Sequence, residues 1–184
     1  MTVGPTLETA RLILRPPILD DLEAWTAFSA DEEVTRFVGG LQSRSQTWRI
    51  LNTMIGSWVS EGFAMWSVIE KDTGRWIGRM GPWRPADWPT AEVGWGLARE
   101  AQGKGYATEA AVAAVDFAFD SLGWAQVDHC IHPDNKASAA VAARLGAKPY
   151  RSGRVMPEPY KEMVIDIWGQ GRADWARNRR ALIA

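Results

Sequence analysis

The residues best suited to chemistry lie in one short stretch, Gln102-Gly103-Lys104-Gly105-Tyr106-Ala107-Thr108. It joins a strand-like run, Ala91 to Leu97, to a helix-like run that opens at Tyr106. Two glycines where a helix begins let successive backbone N–H groups converge on an anion, and the helix end adds a favourable potential. Lys104 brings a mobile cation and Thr108 a hydroxyl donor. Such a turn holds phosphate. The nucleotide loop GxxxxGK followed by Ser or Thr is absent, and so is the dinucleotide pattern GxGxxG. On the glycines alone, a strand-to-helix connection that binds nothing is an equal alternative.

Other reactive side chains are sparse. His129, Cys130 and His132 are close in sequence, but strand alternation turns His129 away from the other two, and no further His or Cys completes a zinc set. No metal site is expected. With a single cysteine the chain forms no internal disulfide, so packing must stabilise it. Trp48, Trp58, Trp66, Trp76, Trp83, Trp88 and Trp95 either line an acceptor cleft or fill core. Arg172, Arg177, Arg179 and Arg180 either meet an acidic partner or are simply solvated.

The 184 residues, 46% hydrophobic, suffice for one sizeable core. We expect one domain over 1–184, with its core at about 7–175 and a C-terminal helix or tail at 171–184. The 21 basic residues against 22 acidic ones give a net charge of -1, which removes the main electrostatic reason to expect nucleic-acid or membrane partners. The start MTVGPTLETA lacks a secretory pattern, and no apolar run nears the roughly 20 residues of a membrane span, so the chain reads as soluble and cytoplasmic.

The elements that must position the turn follow from periodicity. Arg11–Arg15 alternates like a strand and stops at Pro16-Pro17. Asp20 and Asp21 head a helix through Leu22, Trp25 and Phe28, and Ser43–Glu61 is a longer amphipathic helix with Trp48, Leu51, Ile55, Trp58 and Val59 on its apolar face. Ala64–Glu70, Trp76–Trp83 and Ala91–Leu97 read as an antiparallel meander. A helix then covers about Tyr106 to Leu122. Gln126–Ile131 is a strand, Asn135 caps a helix through Arg144, and Gly146 ends it. Lys148–Val155 and Glu162–Trp168 complete the sheet, and Arg172–Arg180 closes the chain. This pattern describes an α+β fold on one mixed, mostly antiparallel sheet of about six to seven strands, with helices on both faces.

Gln102-x-x-Gly105-x-Ala107, after a strand and opening a helix, resembles the central motif of the GNAT N-acetyltransferase superfamily. Glu92-Val93-Gly94-Trp95-Gly96-Leu97 and Ala101–Ala110 are similar to its RimJ/RimL branch of ribosomal-protein N-terminal acetyltransferases. So are His132–Ser138 with Arg144-Leu145-Gly146-Ala147, and the opening Leu7–Arg15. The likeness runs from Leu7 to about Trp175.

The resemblance implies acetyl-CoA as acyl donor, held in a V-shaped gap where Ala91–Leu97 and Gln126–Ile131 splay. It places pantetheine on the main chain of Trp95, Gly96 and Leu97, pyrophosphate on Gln102, Gly103, Lys104, Gly105, Tyr106, Ala107 and Thr108, and the pantetheine arm against Asn135. A plain helix cap is the alternative for Asn135. Glu92 matches the branch's base, and Ser138 a serine that binds or protonates the CoA sulfur. The alternatives are a solvated strand carboxylate and a serine bonded back to its own helix. The family tyrosine seven residues after the asparagine is missing; Ala142 stands there. The implied reaction is transfer to a primary amine, a protein or peptide N-terminus first and a small amine second, by a monomer or homodimer. The missing tyrosine leaves open a silent acyl-CoA-binding module.

Overall fold

Leu12 and Leu14 are fully buried while Ile13 and Arg15 are only partly so, the period-two signature of a strand with one face on a core. The computed structural model describes residues 3–183; Met1, Thr2 and Ala184, the outermost residues of the expected domain, lie outside it. In chain order the elements are β1 (Leu7–Glu8), β2 (Leu12–Arg15), α1 (Leu22–Ser29), α2 (Glu32–Thr35), α3 (Arg44–Ser60), β3 (Trp66–Glu70), β4 (Trp76–Trp83) and β5 (Glu92–Leu97). Then come α4 (Tyr106–Asp120), β6 (Gln126–Ile131), α5 (Lys136–Leu145), β7 (Lys148–Val155), β8 (Val164–Gly171) and α6 (Arg172–Ile183). The strands form one mixed sheet in the order β1-β2-β3-β4-β5-β6-β8-β7, with β5 and β6 parallel. The sheet has eight strands, above the six to seven expected, because Leu7–Arg15 folds back on itself as β1 and β2.

Contacts divide the chain into two compact units, Met1–Gly81 with Trp95–Ala113 and Pro82–Gly94 with Ala114–Ala184. In the first, Ser43 caps α3 and Gln46 returns the bond to the Ser43 N–H at 2.8 Å, a reciprocal capping box. Thr47, Leu51, Met54 and Trp58 form the buried stripe of that helix. Trp48 and Val59, expected on the apolar face, are 49% and 72% exposed, since each stands one position past the stripe. Asp21 organises the polar interior: it accepts two bonds from Arg15 (2.8 and 2.6 Å) and one from Ser67 Oγ (2.7 Å). The indole N–H groups of Trp25 and Trp76 in turn donate to Ser67 Oγ.

In the second unit β6 pairs with β8 over six residues, and β8 ends three residues later than the expected Trp168, at Gly171. Asn135 Oδ1 accepts the Ser138 N–H at 3.1 Å to start α5, and Gly146 ends it in the left-handed region, both as the sequence implies. The closing segment is helix. Three of its arginines are anchored within the unit: Arg172 pairs with Asp120, Arg177 with Asp174, and Arg179 with Asp116.

Candidate active site

The glycine turn opens α4 as the sequence implies. Gly103 and Gly105 have φ of 74° and 83°, a region that any side chain would strain. The Gly105 carbonyl accepts the Glu109 N–H at 3.1 Å, so Gly105 is the N-cap, and it has no side chain to satisfy the first-turn donors. The start of α4 is the positive end of the helix dipole, the kind of place that suits an anion. Gln102, Gly103, Lys104 and Gly105 are exposed around it.

Arg11 and Glu109 brace this turn. The Glu109 carboxylate accepts Thr9 Oγ1 at 2.6 Å, the Arg11 N–H at 2.8 Å and Arg11 Nε at 2.7 Å. Arg11 Nη1 donates to the Lys104 carbonyl at 3.1 Å, and its guanidinium lies 4.4 Å from the Tyr106 ring centre. Tyr106 is itself buried, its hydroxyl donating to Glu70 at 2.6 Å. That contact raises the Tyr106 hydroxyl's pKa and, with Thr73, lowers that of Glu70. Gln102 Nε2 donates to the Leu97 carbonyl at 3.0 Å. The Phe28 ring closes on Gly96, where a Cβ would meet it at 2.8 Å.

Glu92 belongs to the second unit and is 6% exposed, so it is a buried carboxylate, not a solvated one. Its Oε2 accepts the Cys130 N–H at 3.0 Å. Burial and the nearby Glu92 carboxylate push the Cys130 thiol's pKa far up, so it stays protonated. In the parallel register of β5 and β6, Glu92 faces Asp128. Asp128 is also buried and accepts Thr90 Oγ1, Tyr150 Oη (2.8 Å) and Gln126 Nε2 (2.7 Å). Burial, then Asp128, pushes the Tyr150 hydroxyl up to about 12. His129 is fully buried, its Nδ1 lies 2.7 Å from the Val93 carbonyl, and burial takes its pKa down to about 4. Trp88 stacks edge-on with Trp83 and Tyr160 on the same unit. Ser138 is partly buried in the first turn of α5, and Ala142 is fully buried.

A mostly antiparallel sheet in which β5 and β6 run parallel, with a glycine turn that opens a helix, is the arrangement the sequence resemblance implies. Residues 11–148 match the acetyltransferase (GNAT) domain family. The chain belongs to that family and is an acetyltransferase. It is 34% identical over 169 residues to an uncharacterized N-acetyltransferase, p20, of Bacillus licheniformis, covering 89% of this chain and 93% of that one. An acetyltransferase of Agrobacterium tumefaciens str. C58 superposes with a TM-score of 0.80 at 32% identity, over 91% of this chain and 95% of the other. Mycobacterium smegmatis RimJ, solved in complex with CoA-disulfide, shares the fold with a TM-score of 0.77 at 18% identity, over 97% and 95% of the two chains.

Sequence reasoning passed over Arg11, Glu109, Asp128 and His129. Arg11 lies in the strand that carries the family likeness, but its role depends on a partner 98 residues away. His129 was weighed only as a metal ligand.

Proposed function

We propose that this protein transfers an acetyl group from acetyl-CoA to a primary amine by direct attack, with a protein or peptide N-terminal amine as acceptor. The observation that carries the donor half is the turn at Gly103 and Gly105, both at positive φ, which brings two residues without side chains to the start of α4 and suits a pyrophosphate. In this reading Gln102 to Thr108 take the pyrophosphate, with Tyr106 contributing its backbone because its hydroxyl is committed to Glu70. Trp95, Gly96 and Leu97 take pantetheine along the main chain, and Asn135 meets its arm. Acetyl-CoA is the donor that family membership supports.

Glu92 is the proposed base. A carboxylate can take the proton that the acceptor ammonium must lose before it attacks, directly or through water. Ser138 is the proposed partner of the CoA sulfur, and Ala142 offers no hydroxyl for the task. The peptide acceptor follows from the resemblance of Glu92–Leu97 and Ala101–Ala110 to the RimJ/RimL branch.

The test is CoA release from acetyl-CoA against a panel of peptides and small amines, with CoA binding measured by calorimetry. Turnover on peptides is the expected result. Turnover on small amines alone would move the acceptor class, and binding without turnover would leave an acyl-CoA-binding module. Gly105→Glu should abolish CoA binding, because it puts bulk and negative charge against the helix N-terminus. Unchanged affinity in a folded variant would remove the cofactor assignment.

A further inference from the structure

A pocket of about 330 Å³ lies wholly within the first compact unit, lined by α1, α2, the start of β4 and the turn that follows β5. That volume stands at the small end of the range for small-molecule sites. Phe28, Val34 and Trp76 supply most of its apolar lining. The aromatic wall is fixed in advance. The Trp76 indole N–H donates to Ser67 Oγ at 3.0 Å, and its ring centre lies 5.7 Å from Phe28, edge-on, and 5.9 Å from Trp25. A preformed wall needs little ordering when a ligand arrives.

The pocket also carries two charges of each sign. Asp31 is committed to the fold: it accepts the Glu33 and Val34 N–H groups at 3.1 and 3.3 Å, and both its oxygens take Arg99. Arg75 and Glu100 are joined by one contact of 2.9 Å, and their side chains are 63% and 55% exposed. Among the described residues, this leaves one Glu100 oxygen and the Nη1 groups of Arg75 and Arg99 with unused hydrogen-bonding capacity.

We propose that this pocket binds a free α-amino acid with an apolar side chain, its carboxylate on Arg75 and Arg99, its ammonium on Glu100 and its side chain against Trp76 and Phe28. A wholly apolar ligand would take water from the four charges and return no hydrogen bond. A bare anion would meet Glu100, and a bare cation would meet two guanidinium groups. A zwitterion answers both signs at once, and the planar guanidinium fork suits a carboxylate. The proposal goes beyond the transfer reaction and does not depend on the acetyl-CoA reading, since none of these residues belongs to the Gln102–Thr108 turn.

Calorimetry with L-phenylalanine and with L-leucine, in the absence of acetyl-CoA, should show saturable binding with Kd on the order of a millimolar or below. L-Phenylalaninamide lacks the carboxylate, N-acetyl-L-phenylalanine lacks the ammonium, and glycine lacks the apolar body. Each should bind about tenfold more weakly or worse. Ala27 lines the pocket from an exposed position on α1, so Ala27→Trp should fold normally, fill the space and abolish binding. Absence of binding by both amino acids at about ten millimolar, equal affinity for phenylalanine and either derivative, or wild-type affinity in Ala27→Trp would overturn the proposal. Nitrogen NMR of the wild-type protein gives a reading that needs no folded variant of the pocket. The Trp76 indole N–H signal should move as L-phenylalanine saturates, and a stationary signal during saturable binding would place the ligand elsewhere and overturn the proposal.

Discussion

The Gln102 side-chain amide donates to the Leu97 carbonyl at 3.0 Å, closing the turn between β5 and α4 onto the last residue of the strand. The motif glutamine thus shapes the loop from within. Gln102→Ala should therefore weaken CoA binding by loosening the turn. The loss should be about tenfold or less, matching one hydrogen bond of about 1 kcal/mol. Calorimetry checks it, and a loss as large as that of Gly105→Glu would mean that the amide contacts the ligand directly.

Glu109 gathers Thr9 and Arg11 onto the first turn of α4, and its side chain is only 17% exposed. Removing it strands several donors. Glu109→Ala should cost about 2 kcal/mol of stability and also reduce CoA affinity, because Arg11 would no longer hold the Lys104 carbonyl in place. Arg11→Lys keeps the charge but loses the forked contact to both Glu109 and Lys104, and it should fall between wild type and Glu109→Ala in denaturant melts.

The parts of this fold that were legible beforehand are those encoded locally. Asn135 as a cap, Gly146 as a terminator and the exact span of β6 each depend on neighbours a few residues away. The turn at Gly103 and Gly105 was legible for the same reason. The bracing pair Arg11 and Glu109 was not, because nothing near either residue announces a contact made 98 residues away. For the C-terminal arginines the sequence leaves an acidic partner and plain solvation both open, since the acids that Arg172 and Arg179 meet, Asp120 and Asp116, lie on another helix. Glu92 was legible as a carboxylate on a strand. That it accepts the Cys130 N–H depends on a partner 38 residues away, which periodicity does not encode.

Asp21 predicts how the fold responds to acid. Burial alone would raise its pKa, but the bonds from Arg15, the Ile18 N–H and Ser67 outweigh that and hold it below the ordinary value of 3.8. A carboxyl depressed in the folded state stabilises the fold above its unfolded pKa, and that contribution disappears as pH falls through the folded value. Asp21→Asn should therefore be less stable than wild type by a roughly constant amount above about pH 5, with the gap narrowing below about pH 4. Urea melts across that range read it directly. A gap independent of pH would mean that Asp21 acts through shape alone.

Cys130 should be chemically silent in the folded protein. Burial and the neighbouring Glu92 keep its thiol protonated, and a thiol reagent attacks the thiolate. Labelling should be slow in native buffer and fast in denaturant. Cys130→Ser should retain most transfer activity, as expected for direct attack by the amine with no acyl-cysteine intermediate.

Glu92→Gln separates the base from the scaffold. The amide keeps a carbonyl oxygen that can accept the Cys130 N–H, so that bond should survive and CoA affinity should stay within about twofold. The capacity to take a proton is gone. Transfer should slow by about a hundredfold or more, the scale of a lost general base. The defect should also ease at high pH, where more of the acceptor amine is already unprotonated. Steady-state rates from pH 6 to 10, with CoA binding measured on the same preparations, test both halves. An unaltered rate at neutral pH would remove Glu92 from the proton path and leave it as the side chain that occupies the Cys130 amide.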